Sequence, residues 1–261
     1  MRHLGWFHKM LGDEEQSAAS LIEAIEVYRA IGDVAGEVNT TRVQALIHST
    51  SGRLEDAVAL YRRTLEMGHA SPSAIATTHN NLGVCAGRAG DLGTALHHVR
   101  IALDLHLSLG AGHAVARSRA QLAEICLRLG DLGAAESEID AALNWASTVG
   151  SRPVEVESLN VLGALRWAKG EPAAAIRSFT AALSGAGELE DRYEQARACE
   201  GLAVAEHAAG QLAAAVTLWR RAIQHYDAIG FVDADRVRDH LADVTAEDEP
   251  GCLAPVTVQS G

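Results

Sequence analysis

The sequence predicts an all-α solenoid of about six 40-residue helix-pair repeats, closed by a C-terminal capping helix. Three observations lead there. Glycines fall at Gly12, Gly52, Gly90, Gly130, Gly170 and Gly210, in steps of 40, 38, 40, 40 and 40 residues. Five residues after each stands a small side chain (Ser17, Ala57, Ala95, Ala135, Ala175, Ala215), and four further on a bulky one (Leu21, Tyr61, Val99, Ile139, Phe179, Trp219). A second small residue follows at Ala24, Ala102, Ala142, Ala182 and Ala222, with Thr64 the exception. Spacings of three and four place these side chains on one helical face, where the small ones let a neighbouring helix approach and the bulky ones fill the space left.

Upstream of the glycines, Leu4-Gly5, Leu82-Gly83 and Leu162-Gly163 match one another, and Leu122-Ala123 and Leu202-Ala203 relax the glycine by one methyl. Leucine-glycine, then alanine-x3-aromatic, then alanine resembles the tetratricopeptide repeat over roughly residues 1 to 230. The resemblance implies a right-handed superhelix of antiparallel helix pairs, with the first helix of each pair lining the concave face. The early tryptophan and late proline of that repeat are absent, and the period exceeds its usual length of about 34 residues. Such long units with LGD turns resemble the C-terminal arrays of bacterial antibiotic-pathway regulators and of large ATP-binding activators of the LuxR family.

In chain order, residues 2 to 11 read as a helix that begins in mid-unit, which suggests a piece of a longer protein. An exposed apolar end at Leu4, Phe7 and Leu11 would then favour a weak homo-oligomer, with the C-terminal end left free. Glu14 to Ile31 is the partner helix and stops at Gly32-Asp33. The second unit, Val34 to Met67, is the weakest copy, with Gln44-Ala45 in place of Leu-Gly. Ser71-Pro72 caps and starts the third. The third and fourth units, to Leu109 and Val149, are the best preserved. Pro172 sits at a helix start, while Gly185-Ala186-Gly187 reads as a flexible joint. The sixth unit ends at Ile229-Gly230. Asp233 to Val244 is the cap helix, with Ala234, Val237, Leu241 and Val244 packing inward and Asp235, Arg236, Arg238 and Asp239 facing water. The solenoid spans residues 1–246, and residues 247–261, without periodicity, are expected to be disordered.

With 48% hydrophobic residues the chain can bury a sizeable core, and its 4% aromatic content suits packing through alanine. A formal charge of -12 argues against a direct nucleic-acid surface. Cys85, Cys126, Cys199 and Cys252 form no CxxC pair. With no signal-peptide core and no membrane-spanning run, a cytoplasmic protein is expected, without membrane contact.

Placing the repeat's groove positions on this sequence selects Arg42, Leu46 and Ser49; Asn80, Val84 and Arg88; Arg117, Glu124, Leu127 and Arg128; and Glu157, Asn160, Ala164, Trp167, Arg197, Glu200, Val204 and His207. A slip of one residue would rotate each choice by about 100°. Arg88 and Arg128 share one position in neighbouring units and, with Arg42 and Arg117, could hold a carboxylate or phosphate. Alternatively, Glu124 pairs with Arg128 at i,i+4 and the arginines are merely solvated. Asn80 and Asn160 suit a ligand backbone. The row Trp6, Leu46, Val84, Glu124, Ala164, Val204 is mostly apolar, fit for a helix or small molecule, or buried by tight curvature. His97 and His98 point apart, and His8 and His48 lack a carboxylate or cysteine to complete a set, so no metal or cofactor is expected. Without GxxxxGK[ST], HExxH, GxSxG or a strand-borne GxGxxG, no catalytic residues are expected, and an enzyme is the least favoured class.

The reading is therefore a non-catalytic binding solenoid whose groove recognises a peptide, helix or protein domain. From the resemblance, it would be the partner- or signal-sensing part of a transcriptional regulator. The alternative is a sensor or carrier of an apolar or anionic small molecule, in which Leu46, Val84, Leu127, Trp167 and Val204 line an apolar pocket.

Overall fold

The computed structural model describes residues 14–68 and 70–247. The starting segment, its proposed oligomer contact, His8 and the C-terminal tail lie outside the described residues. Among them twelve helices follow one another without a strand. In chain order they are α1 (Glu14–Ala30), α2 (Val34–Thr50), α3 (Leu54–Glu66), α4 (Pro72–Arg88), α5 (Leu92–Ser108), α6 (Gly112–Arg128), α7 (Leu132–Val149), α8 (Arg152–Ala168), α9 (Pro172–Glu188), α10 (Arg192–Ala208), α11 (Leu212–Asp227) and α12 (Asp233–Glu247).

The turns follow from their residues. Gly90 and Gly130 take φ of 85° and 81° in the left-handed region, which stops one helix at little steric expense. The next residue then starts the following helix: Asp91 and Asp131 each accept a hydrogen bond from the backbone N–H three residues on, satisfying an amide that the new helix would otherwise leave unpaired. Ser71 caps α4 in the same way, with Pro72 in the first turn.

Packing follows the small-and-bulky pattern. The bulky residues Tyr61, Val99, Ile139, Phe179 and Trp219 are all buried, as are Ala57, Ala95, Ala135, Ala175 and Ala215 four residues before them. The glycines of the Leu-Gly pairs make room for these side chains. A Cβ on Gly83 would stand 2.5 Å from the Val99 methyl, and one on Gly163 would stand 2.7 Å from the Phe179 ring. Gly185 has the same use, since a Cβ there would meet Val156 at 2.6 Å. The expected joint at Gly185-Ala186-Gly187 is thus corrected: α9 runs unbroken to Glu188, and its glycine serves close approach to α8.

The first helices of the pairs, α2, α4, α6, α8 and α10, form the inner wall, while α3, α5, α7, α9 and α11 cover them outside. Curvature is tight enough that the array meets itself. The Val232 N–H donates to the Thr50 carbonyl at 3.2 Å. Arg88 reaches Asp233 at 2.9 Å, across 145 residues of sequence. Gly52, with φ of 79°, lies against the Val232 side chain, where a Cβ would be 3.1 Å from its methyl. The loop before α12 and the first residue of that helix are therefore tied to α2 and α4.

Candidate ligand chamber

Ring closure turns the expected groove into a chamber of about 470 Å³. Its wall carries four arginines, Arg88, Arg117, Arg128 and Arg197, facing Glu124, Glu157, Asp191 and Glu194. Leu46, Val84, Ile125, Tyr193 and Phe231 supply the apolar surface between them.

Arg88 and Arg128 occupy the last turns of α4 and α6. Each reaches back to the preceding inner helix, Arg88 to the Ser49 carbonyl at 2.6 Å and Arg128 to the Gly87 carbonyl at 2.7 Å. Each carbonyl already accepts from the turn glycine, Gly52 or Gly90, and the guanidinium adds a second bond at the negative end of the helix dipole, where a cation is favoured. The equivalent positions on α8 and α10 are Ala168 and Ala208, and the ladder stops there.

Nearer the start of the inner helices, Arg117 pairs with Glu157 at 3.0 Å, while Arg197 of α10 reaches Glu124, one turn before Arg128 on α6, at 2.8 Å. The second pair spans two repeats. Burial opposes the charge on Arg197, but Glu124 and Glu194 more than offset it and hold its pKa well above the ordinary value. Glu194 is buried, which raises its carboxyl pKa against the pull of Arg197 and of the Asn160 amide. That amide donates to Glu194 Oε2 at 2.7 Å. Tyr193 stacks near Phe231 at 5.0 Å between ring centres, tying this end of the chamber to the closing loop.

Of the candidate residues, Leu46, Val84, Arg88, Arg117, Glu124 and Arg128 line the chamber, as do Ser49, Glu157 and Arg197. The others lie elsewhere. Asn160 is buried and occupied by Glu194, and Asn80 accepts from the Ser118 hydroxyl. Asn80 stands one residue short of Asn81, which lines the chamber, whereas the residue after Asn160 is Val161, buried in the core. Arg42 bonds Asn39. Leu127 packs in the central core, and Trp167 beside Phe179. Val204 is 39% exposed away from the chamber, and His207 sits 5.6 Å from the Trp219 ring. Glu124 does not pair with Arg128, because Arg197 takes it. Gln121, Asn81, Tyr193 and Glu194 were discoverable from register. Phe231, in a connection, enters the wall only because the ring closes.

A smaller polar pocket of about 130 Å³ adjoins the chamber between α4, α5 and α6, sharing Asn81, His113, Arg117 and Gln121 with it. Among the described residues no three His, Cys, Asp or Glu side chains are grouped to hold a metal ion. His79 and His98 meet with their Nδ1 atoms 3.0 Å apart. Cys85, Cys126 and Cys199 are buried thiols, each pushed up in pKa by burial. No described helix is long and apolar enough to cross a membrane.

Tetratricopeptide-repeat family models match residues 74–144 and 196–221. The chain is a tetratricopeptide-repeat protein. No curated protein matches it significantly. Among solved structures, this tetratricopeptide array is similar to BtubC from P. vanneervenii, at 21% identity over 93% of this chain and 97% of that one, with a TM-score of 0.60. It is also similar to the Rap conjugation gene regulator of plasmid pLS20 in complex with the Phr* peptide, at 14% identity, covering 86% and 62% of the two chains with a TM-score of 0.73. NprR in complex with its cognate peptide NprX gives 14%, coverage of 95% and 72%, and a TM-score of 0.72. At these identities the likeness is one of fold.

Proposed function

We propose that the chamber binds a short peptide with free or charged ends, and that the array serves, without catalysis, as the signal-sensing part of a regulator. The observation carrying this reading is the charge-lined chamber, part enclosed and part open to solvent. A protein domain needs roughly 800 Å² of contact per partner, more than a site of about 470 Å³ offers, so a short segment suits it better than a domain. Arg117 and Arg128 lie eleven residues apart on α6, about 16 Å at 1.5 Å per residue. An extended peptide of about five residues spans that distance. Its carboxylate would suit Arg128, which holds only a neutral carbonyl. Its ammonium would suit the end where Glu157, Asp191 and Glu194 cluster. The likeness to Rap and NprR, both solved with peptides, supports the class of ligand.

The chamber volume also falls in the range of about 300–1,000 Å³ usual for small-molecule sites. The apolar version of that alternative loses Leu127, Trp167 and Val204, none of which lines the chamber, so a metabolite would have to be polar and charged. The test is affinity selection: the full chain, immobilised, is offered a mixed pool of tetra- to heptapeptides with free termini, and retained peptides are read by mass spectrometry. Selective retention, weakened about tenfold or more in Arg128→Ala and Glu157→Ala variants of unchanged helicity, is expected. Retention of nothing by the wild type would overturn the peptide reading. Thermal shift with charged metabolites then tests the alternative, since a ligand at a hundredfold its Kd adds about 2.7 kcal/mol.

A further inference from the structure

The side pocket beside the chamber holds hydrogen-bonding capacity that the protein itself does not use. Ser118 donates to the Asn80 carbonyl oxygen at 3.2 Å, so its hydroxyl oxygen is left to accept from His106 Nδ1 at 3.0 Å. That fixes the ring as the Nδ1–H tautomer, with a bare lone pair on Nε2. His106 and Ser118 are 5% and 1% exposed, enough burial to hold the ring in one orientation. Burial also lowers the pKa of His106, which keeps it neutral. Nε2 has no hydrogen-bond partner among the described residues. The Gln121 side chain belongs to the same wall, and its Oε1 atom is buried without a hydrogen-bond partner. An imidazole nitrogen left without a protein partner on a polar pocket wall calls for a donor, because polar groups shielded from bulk water are seldom left unpaired.

Arg117 supplies the complementary feature. Its Nε is taken by Glu157, while its terminal nitrogens remain as donors on the rim shared by pocket and chamber. An ammonium group would meet the Arg117 charge, and a carboxylate would meet the two acceptors. A volume of about 130 Å³ corresponds to roughly four waters. We propose that this pocket is a specificity subsite of the chamber that takes a small neutral group able both to donate and to accept, a hydroxyl or a carboxamide. Its place in peptide recognition rests on the function proposed above; its hydrogen-bonding chemistry does not.

Two measurements separate these. Long-range 15N–1H correlation on the full chain reads the His106 tautomer directly. The expected result is Nδ1–H, with the Nε2 resonance moving when millimolar acetamide is added and that response weakened roughly tenfold in Gln121→Leu. An Nε2–H tautomer, or a His106 ring indifferent to acetamide, overturns the subsite without reference to any peptide or variant. In the peptide selection, one position is expected to favour Ser, Thr, Asn or Gln over Leu, Asp or Lys by roughly tenfold, a preference lost in His106→Phe. Peptides retained with no such preference would sink the subsite and leave the peptide reading standing. Acetamide binding with no peptide retained would do the reverse.

Discussion

The central repeats and the last one solve the same packing problem with different side chains. In the middle of the array, Val99 and Ile139 fill the key position, each fully buried among alanines such as Ala95, Ala123 and Ala135. At the C-terminal end the same position holds Trp219, 1% exposed and flanked by His207 and His240 at 5.6 and 5.0 Å between ring centres. Tyr226 packs there too, with Tyr193 and Phe231 beside it. A central unit is covered by a similar unit on each side. The last is covered by α12 alone, through Ala234, Val237 and Val244, so larger side chains fill what a further helix pair would have occupied. Four of the aromatics, Tyr193, Trp219, Tyr226 and Phe231, meet in this terminal core.

Removing the largest of these side chains tests the comparison most strongly. Trp219→Ala is expected to destabilise by about 3–5 kcal/mol, against roughly 2 kcal/mol for Val99→Ala, as measured by urea unfolding. Equal losses would show that the terminal core is no more dependent on bulk than the central one. The junction between the regions comes next. Phe179 is embraced by Gly163 and Gly201, and a Cβ on Gly201 would run into its ring. Gly201→Ala should therefore cost about 1–3 kcal/mol, and Phe179→Leu in the same chain should recover part of it. If the alanine is neutral, the ring has room that the packing denies.

A smaller effect is expected at the seam. Asp233→Asn removes the charge that Arg88 meets at 2.9 Å, both side chains being about one-fifth exposed. The expected loss is about 1 kcal/mol, seen best as faster hydrogen exchange at the Val232 amide, while amides of the central α6 stay protected. Uniform acceleration would mean that the ring opens only by global unfolding. The smallest effect concerns acid. His79 and His98 are lowered in pKa from 6.5, chiefly by burial and then by the neighbouring histidines, with Arg62 acting on His98 too. Folded protein therefore binds fewer protons than unfolded protein once the pH drops below 6.5, so stability is complete above that value and declines as pH falls through the lowered folded pKa values. The double variant His79→Phe, His98→Phe should flatten the midpoint-against-pH curve in this range, and an unchanged slope would remove the pair as its cause.

How much of this was legible can be judged from individual positions. Val99, Phe179 and Ala135 announce their burial through spacing, because side-chain direction on a helix repeats with the helical period and local sequence sets it. Gly90-Asp91 announces its turn for the same local reason. Arg88 and Arg128 were recognisable as equivalent, since equivalence is a property of register. Their actual partners, backbone carbonyls one repeat back, were not, because a guanidinium on a long stem can reach several acceptors and only the curvature selects among them. Asn80 shows the limit of register: one residue separates it from Asn81, and the sequence carries the period more securely than the phase.

By itself, then, the chain determined an all-α repeat array, its helices, turns and small-for-bulky packing, since each depends on contacts repeated every 40 residues. Only the tertiary structure decided that Thr50 meets Val232, that Arg88 meets Asp233 and that Glu124 pairs with Arg197. Those contacts depend on the small rotation between successive repeats summed around the array, a quantity that no single repeat encodes in its residues.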